Sequence, residues 1–274
     1  MRRPATELTE RLDSAVAFAL EASAIPRRYF LNDGLVINRK SDNSPVTRAD
    51  RETEELLRTR IEFSCPNDAI IGEELPDKAG TSGFTWYLDP IDGTESFVRG
   101  VPLFGTMVAI QHGSEPVAGV IDFPVLGEIV YAAKGSGAWW ATNSNGASSV
   151  ADLDHREAKV STIDDLAYAA ASTTGLAHLL EEGVVAEQWQ ALMKLVKVGR
   201  GYGDCYGHYL VATGRVDIML DAVMNVWDNA PLLPVITEAG GCFTDIKGNA
   251  GIGGGSGLST NGLLHEAVLT VLRG

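Results

Sequence analysis

The chain has 274 residues, 45% of them hydrophobic and 21% charged, a globular composition that argues against disorder, collagen and coiled coil and leaves ample material for a buried core. With 22 basic against 36 acidic residues the net charge is −14; no cluster of Lys and Arg stands out, which argues against a sequence-independent grip on nucleic acid, and a phosphorylated partner would need bound divalent cations to offset the carboxylates. There is no apolar run of about 18 residues for a membrane span, no apolar stretch behind Arg2 and Arg3 for a secretory signal, and only three scattered cysteines, Cys65, Cys205 and Cys242. A cytoplasmic, reducing setting is expected.

Along the chain, Leu8, Leu12, Ala15, Val16 and Ala19 form one apolar stripe of an amphipathic helix. A second helix is predicted to open at Thr47, where Thr47-Arg48-Ala49-Asp50 has the form of a capping box. Ile70-Ile71-Gly72-Glu73-Glu74 reads as a short strand ending in paired carboxylates, and Thr85 to Asp89 as another that ends on a carboxylate. From Phe104 to Trp140 the texture is that of a β-meander, with strands at 106–111, 117–123, 128–133 and 138–141 broken by turn residues. The second half alternates. A helical stripe at Val185, Trp189, Leu192, Met193 and Val196 is followed by a short helix from Cys205 to Thr213 closed by Gly214. A strand is expected over 216–221, a helix opened by Asp228, a strand over 242–246 and a final helix over 263–272. Asn, Ser, Gly and Asp collect between residues 142 and 160, so two halves, 1–145 and 146–274, are expected to pack as one unit.

The informative segment is Trp86-Tyr87-Leu88-Asp89-Pro90-Ile91-Asp92-Gly93-Thr94. Pro90 restricts Asp89, and Gly93 permits an unusual dihedral or a close backbone approach. Two carboxylates on a rigid turn offer the oxygen ligands that a hard cation such as Mg²⁺ requires, and the N–H groups of Gly93 and Thr94 would point at a phosphate if a helix starts there. Each acidic site has a plain structural reading as well: Asp89 to Gly93 as a turn, Glu74 as a surface residue, Asp228 as an N-cap with Pro231 in the first turn, Asp50 as the partner of the Thr47 cap. Together they form one ordered set. The five histidines show no metal-ligand spacing, and the glycine run 251–257 lacks the Gly-Lys-Ser/Thr ending of a phosphate loop, so it reads as a turn before the last strand and helix.

The order of Ser44-Pro45-Val46-Thr47-Arg48-Ala49-Asp50, Gly72-Glu73-Glu74, Asp89-Pro90-Ile91-Asp92-Gly93-Thr94 and Trp227-Asp228 resembles the inositol monophosphatase-like family of metal-dependent phosphatases, relatives of fructose-1,6-bisphosphatase, across nearly the whole chain. The resemblance implies a layered α-β-α-β-α sandwich, Mg²⁺ as cofactor with two to three ions per site, lithium sensitivity and a homodimer. It implies that Glu73, Asp89 and the Ile91 carbonyl hold a first ion, that Asp89, Asp92 and Asp228 hold a second, and that a weaker third leans on Glu73. Asp50 and Thr94 would orient the attacking water, and Gly93 and Thr94 would meet the phosphate. Glu74 has no settled role.

For the substrate, Arg200-Gly201-Tyr202-Gly203-Asp204-Cys205-Tyr206 is similar to the histidinol-phosphate branch, as are the segments 102–106 and 224–228. Asp204 suits a substrate carrying an ammonium and an imidazole, and its plain reading is a helix N-cap. Ser96 stands where inositol enzymes usually show Asn, and Asp221 where they commonly have a Glu that touches the sugar ring. Arg200 could meet Asp204, the phosphate or a partner subunit. L-Histidinol phosphate is therefore the expected substrate. An inositol-1-monophosphatase, a broad-specificity sugar phosphatase and a non-enzymatic, metal-dependent binding relative stay open.

Overall fold

The computed structural model describes residues 4–32, 34–40, 44–142, 144, 146–175, 179 and 184–274. Helices α1 (Pro4–Ala22) and α2 (Ala24–Tyr29) open the chain. An antiparallel hairpin of β1 (Ile37–Arg39) and β2 (Pro45–Thr47) runs straight into α3 (Arg48–Ser64). The expected capping box stops the strand and starts the helix there: Asp50 Oδ2 accepts from the Thr47 amide at 2.8 Å and its hydroxyl at 2.6 Å.

A seven-stranded sheet follows in sequential order: β3 (Ala69–Gly72), β4 (Phe84–Asp92), β5 (Gly105–His112), β6 (Glu115–Phe123), β7 (Glu128–Ala133), β8 (Ala138–Thr142) and β9 (His155–Glu157). Only the β3–β4 pair is parallel; the rest is the meander that the turn residues signal. The central strands are buried on both faces. Val108, Ile110, Val120 and Ile129 pack under α1 and α3, whereas Met107, Ile121, Phe123 and Val130 face the interior of the molecule.

The second sheet has the order β11 (Val198–Arg200), β10 (Ala170–Thr173), β12 (Ile218–Asp221), β14 (Gly257–Thr260) and β13 (Cys242–Thr244). β10 is parallel to β11 and β12, and β14 runs against β12 and β13. Between the sheets lie α6 (Asp204–Ala212) and α7 (Val226–Glu238). Tyr209, Leu232, Val235 and Ile236 bury against the inner face of the first sheet together with Met219 and Phe243 from the second. α5 (Val184–Leu195) and α8 (His265–Arg273) cover the outer face through Trp189, Leu192, Val268 and Leu269. The result is the expected layering, helix, sheet, helix, sheet, helix. Gly119 on β6 makes it tight, since a Cβ there would lie 2.2 Å from the Pro231 carbonyl oxygen of α7.

Several boundaries differ from the sequence reading. β4 continues past Asp89 to Asp92, and α7 starts at Val226 with Asn225 as N-cap, so Pro231 sits inside the helix rather than in its first turn. The β1–β2 hairpin and α2 carry no strong period and are findings of the structure. Residue 145, at the expected division of the chain, and the Val185 side chain lie outside the described ones. The first sheet ends at Glu157 and the second begins at Ala170. No described helix is long and apolar enough to cross a membrane.

Candidate active site

The site is built around an irregularity in β4. Asp89 pairs with Met107 and Asp92 with Gly105, three steps on one strand against two on the other. In a regular strand, residues three apart point to opposite faces. The extra residue of the bulge at Pro90–Ile91 returns Asp92 to the face of Asp89. Pro90 is tolerated because the ladder is broken there, and its carbonyl is satisfied by Thr106 Oγ1 at 2.9 Å. The Ile91 amide donates to Asp89 Oδ1 at 3.0 Å, which pins that carboxylate.

α7 supplies Asp228 from its first turn, where Oδ2 accepts from the Asn225 amide at 2.6 Å. Carboxylate oxygens of Asp89, Asp92 and Asp228 all lie within 4.8 Å of one another. The groups that face Asp89 are Glu73, Asp92 and Asp228; burial first, then these negative neighbours, push its carboxyl well above the usual carboxylate range. Burial and Asp92 push Asp228 up to about 8. Burial raises Asp92 too, opposed by its hydrogen bonds with Cys205, whose amide meets Asp92 Oδ2 at 2.5 Å. An all-oxygen donor set, with Asp89 buried and Asp92 and Asp228 half-buried, crowded with like charge, fits a hard divalent cation.

Glu73 follows β3, and its amide donates to the Leu88 carbonyl of β4. Its side chain is pushed up to about 7 by burial, although Lys40 Nζ lies 2.6 Å from Oε1 and opposes the shift. Lys40 also contacts Glu74. The loop bearing these two acids is stapled to α3. Glu54, fully buried, accepts from the amides of Glu74 at 2.8 Å and Leu75 at 3.2 Å, while Arg58 holds Glu54 and the carbonyls of Leu75 and Pro76.

On the other side, Gly93 adopts the left-handed φ of +86° and caps the short helix α4 (Thr94–Val98). Thr94 Oγ1 lies 3.0 Å from the Ile91 carbonyl and 3.5 Å from Asp50 Oδ1. Burial pushes the Asp50 carboxyl up to about 6 against its hydrogen bonds from Thr47. A Cβ on Gly93 would stand 3.0 Å from Asp204 Oδ2, so the Asp204 loop closes directly over the Gly93 turn. Asp204 is not a plain N-cap. It lies one residue inside α6, with a left-handed φ of +56°, and its carboxyl, hydrogen-bonded by Ser96, is pushed well up by burial and by Asp92, Asp221 and Asp228.

The structure thus gathers Asp50, Glu73, Asp89, Ile91, Asp92, Gly93, Thr94, Asp204 and Asp228. Asp221 lies beside them but is committed inward: its two oxygens meet the Thr174 amide at 3.0 Å and His208 Nε2 at 3.2 Å. Arg200 is not drawn in. β11 is the edge of its sheet and leaves Arg200 exposed, donating to the adjacent Gly199 carbonyl. Lys40, Glu54, Arg58, Thr174 and His208 join the site or its supports without any motif announcing them. Cys205 is a neutral thiol, driven up by burial and Asp92.

The model of the inositol monophosphatase family matches residues 7–273. A histidinol-phosphatase of Chlorobaculum parvum is 38% identical over 268 residues, 97% of this chain and 97% of that protein. A histidinol-phosphatase of Mycobacterium tuberculosis is 38% identical over 259 residues, 94% and 96% of the two chains. Among solved structures, the extragenic suppressor protein suhB of Bartonella henselae superposes with a TM-score of 0.84 at 26% identity, covering 95% of this chain and 97% of that one. By its matched length, its layered fold and its carboxylate site, the chain belongs to the inositol monophosphatase family.

Proposed function

We propose that the protein is a Mg²⁺-dependent phosphate monoester hydrolase and that its substrate is L-histidinol phosphate. The observation that carries the reading is the joint placement of the Asp89–Asp92–Asp228 cluster and the Asp204 carboxyl on either side of the Gly93 turn. The cluster, with Glu73 and the Ile91 carbonyl, would hold the divalent cations. Bound there, they supply charge neutralisation for a phosphate ester and acidify water.

The chain's own residues do the rest. Thr94 Oγ1 can accept from a water while donating toward Asp50, whose second oxygen is fixed by Thr47; this orients the water's lone pair and gives its proton a route toward a carboxylate that burial has made more basic. Gly93 keeps the floor of the site open, because any side chain at its left-handed backbone would be strained and would crowd Asp204. Glu54 and Arg58 fix the Glu73 loop, so the ligand set is organised before the substrate arrives.

Asp204 gives the substrate preference. A buried carboxyl among three other acids is disfavoured as an anion unless a cation enters, and L-histidinol phosphate brings an ammonium and an imidazole beside its phosphate. Inositol phosphates and sugar bisphosphates bring neutral hydroxyls. The 38% identity to two proteins named histidinol-phosphatase supports the same choice. The test is phosphate release from L-histidinol phosphate by the purified protein. Release with Mg²⁺, stopped by a chelator, is expected; equal release in both conditions, or none in either, contradicts the reading.

A further inference from the structure

We propose that His208 is a positioning residue for substrate selectivity, acting on Asp204 through Asp221 and Thr174. The inference rests on the reading that Asp204 meets the cationic end of the substrate, and adds what holds that carboxylate in place.

Asp204 needs holding. Its φ of +56° lies in the left-handed region, which strains a non-glycine residue. No rigid strand fixes it, for it sits where the loop after β11 turns into α6. What fixes it is a chain of hydrogen bonds leading inward. The Asp204 amide donates to Thr174 Oγ1 at 2.7 Å. The Thr174 amide in turn donates to Asp221 Oδ1 at 3.0 Å. Asp221 Oδ2 faces His208 Nε2 at 3.2 Å, and His208 Nδ1 faces Ser259 Oγ at 2.6 Å.

The direction of this chain follows from donor chemistry. A carboxylate only accepts, so the ring donates from Nε2 to Asp221, and Nδ1 pairs with the Ser259 hydroxyl. Ser259 is fully buried on β14 and His208 fully buried on α6, so the far end is anchored in the core between two elements. The near end lies just past β10, where Thr174 carries these bonds and packs closely on Gly203, at which a Cβ would lie 3.1 Å from Thr174 Cγ2. Further stitches hold the same loop, from the Tyr202 amide to Ser172 Oγ at 2.8 Å and from the Cys205 amide to Asp92 Oδ2, and Ser96 bonds the Asp204 carboxyl itself; the chain through Thr174 is the one that holds the Asp204 amide.

The hydrogen bonds of the His208 ring go to Asp221 and Ser259 and not to the carboxylate cluster; its charge also reaches Asp92, a coupling that would act on both esters alike. The proposal therefore differs from a plain core histidine in what its loss should change. Weakening the chain should loosen Asp204 and raise KM for an ester that carries a cation, while an ester without one, such as β-glycerophosphate, keeps its kcat/KM. A misplaced binding group of this kind costs about tenfold or more.

The experiment compares L-histidinol phosphate with β-glycerophosphate for His208→Asn, His208→Gln, Thr174→Val and Thr174→Ser. Asn cannot present a donor at the Nε2 position, whereas Gln can, and Ser keeps the hydroxyl that Val removes. We expect His208→Asn and Thr174→Val to raise KM for L-histidinol phosphate about tenfold with kcat within about threefold, and Gln and Ser to restore most of it. The same substitutions placed in an Asp204→Asn background should cost little further, because the chain would have nothing left to position. Equal losses on both esters, or full additivity with Asp204→Asn, would overturn the relay and leave His208 a structural residue. If Asp204→Asn alone fails to distinguish the two esters, the reading of Asp204 falls and the relay with it. If Asp204→Asn distinguishes them and the His208 and Thr174 variants do not, only the relay is lost. Thr174→Val is exposed to solvent on one side, so it keeps the test decisive should His208→Asn fold poorly.

Discussion

Asp92 shows how much a single side chain is asked to do. Its carboxylate lies within 4.8 Å of those of Asp89 and Asp228 and also accepts the Cys205 amide at the start of α6, so it joins the carboxylate cluster to the helix that carries Asp204. Asp92→Asn should lower kcat by more than about a hundredfold, beyond what loss of an outer partner of a metal ligand costs, while removing a buried like charge and so raising the melting temperature of the metal-free protein. Thermal melts without metal check this; a lower Tm together with retained turnover would contradict it. A different buried acid, Asp122 on β6, lies away from the cluster and is held by Ser23 at the α1–α2 junction. Burial pushes its carboxyl up to about 7 from 3.8 in the open chain. A raised folded-state value means the folded protein holds a proton that the unfolded chain has given up, so stability is lost as pH rises from about 4 through 7. Asp122→Asn should match the wild type at pH 4 and exceed it by a few kcal/mol at pH 8, at about 1.4 kcal/mol for each tenfold change in acidity. Urea melts of both proteins across that range measure it, and a constant difference would show that Asp122 does not titrate there.

At the scale of elements, three local devices build the site: a bulge in β4, and capping boxes opening α3 and α7. The Thr47–Asp50 cap is legible in the sequence because it is a contact within four residues; the cap of α7 is legible only as a helix start near Asp228, since the structure makes Asn225 the cap and Asp228 its partner. The bulge was not legible. Asp89 and Asp92 could be placed on one turn by Pro90 and Gly93, but that they share a face depends on the register of β4 against β5, which local sequence does not contain. Arg200 shows the same limit: which of Asp204, the phosphate or a partner subunit it meets is not in the local sequence, and its strand forms a sheet edge on which it is exposed. Lys40 and Glu54 act across 20 residues or more, and His208 reaches Asp221 and Ser259 on other elements, so no spacing rule reaches them. The Glu54–Arg58 staple is the element-scale prediction. Glu54→Gln keeps the shape but weakens the hold on the Glu74 and Leu75 amides, so the Mg²⁺ concentration for half-maximal activity should rise about tenfold or more with kcat at saturating metal largely kept. An unchanged Mg²⁺ dependence would relieve Glu54 of that role.

The whole molecule is a device for bringing acids from both halves of the chain to one point. Asp89 and Asp92 come from the first sheet, Asp228 and Asp204 from the helices packed between the sheets, and Gly119 lets α7 approach the first sheet closely. Such a convergence is costly without a cation and favourable with one. Mg²⁺ at about 100 times its Kd should add about 2.7 kcal/mol to folding stability, several degrees in Tm, and Asp92→Asn should lose that increment; the same shift in both proteins would place the ion elsewhere. The overall layering is implied by the family resemblance that the ordered motifs carry, and the periods alone give it only in outline, whereas the supports of Asp204 come from the packing of α6 against β10, β12 and β14.

The most direct measurement is Mg²⁺-dependent phosphate release across L-histidinol phosphate, inositol-1-phosphate, fructose-1,6-bisphosphate and adenosine 3′,5′-bisphosphate. A kcat/KM for L-histidinol phosphate at least about 100-fold above the others, roughly 2.7 kcal/mol of transition-state discrimination, is the predicted result. A flat profile, or inositol-1-phosphate in front, would contradict the assignment of Asp204 to a cationic substrate, and silence across the set would contradict the hydrolase itself.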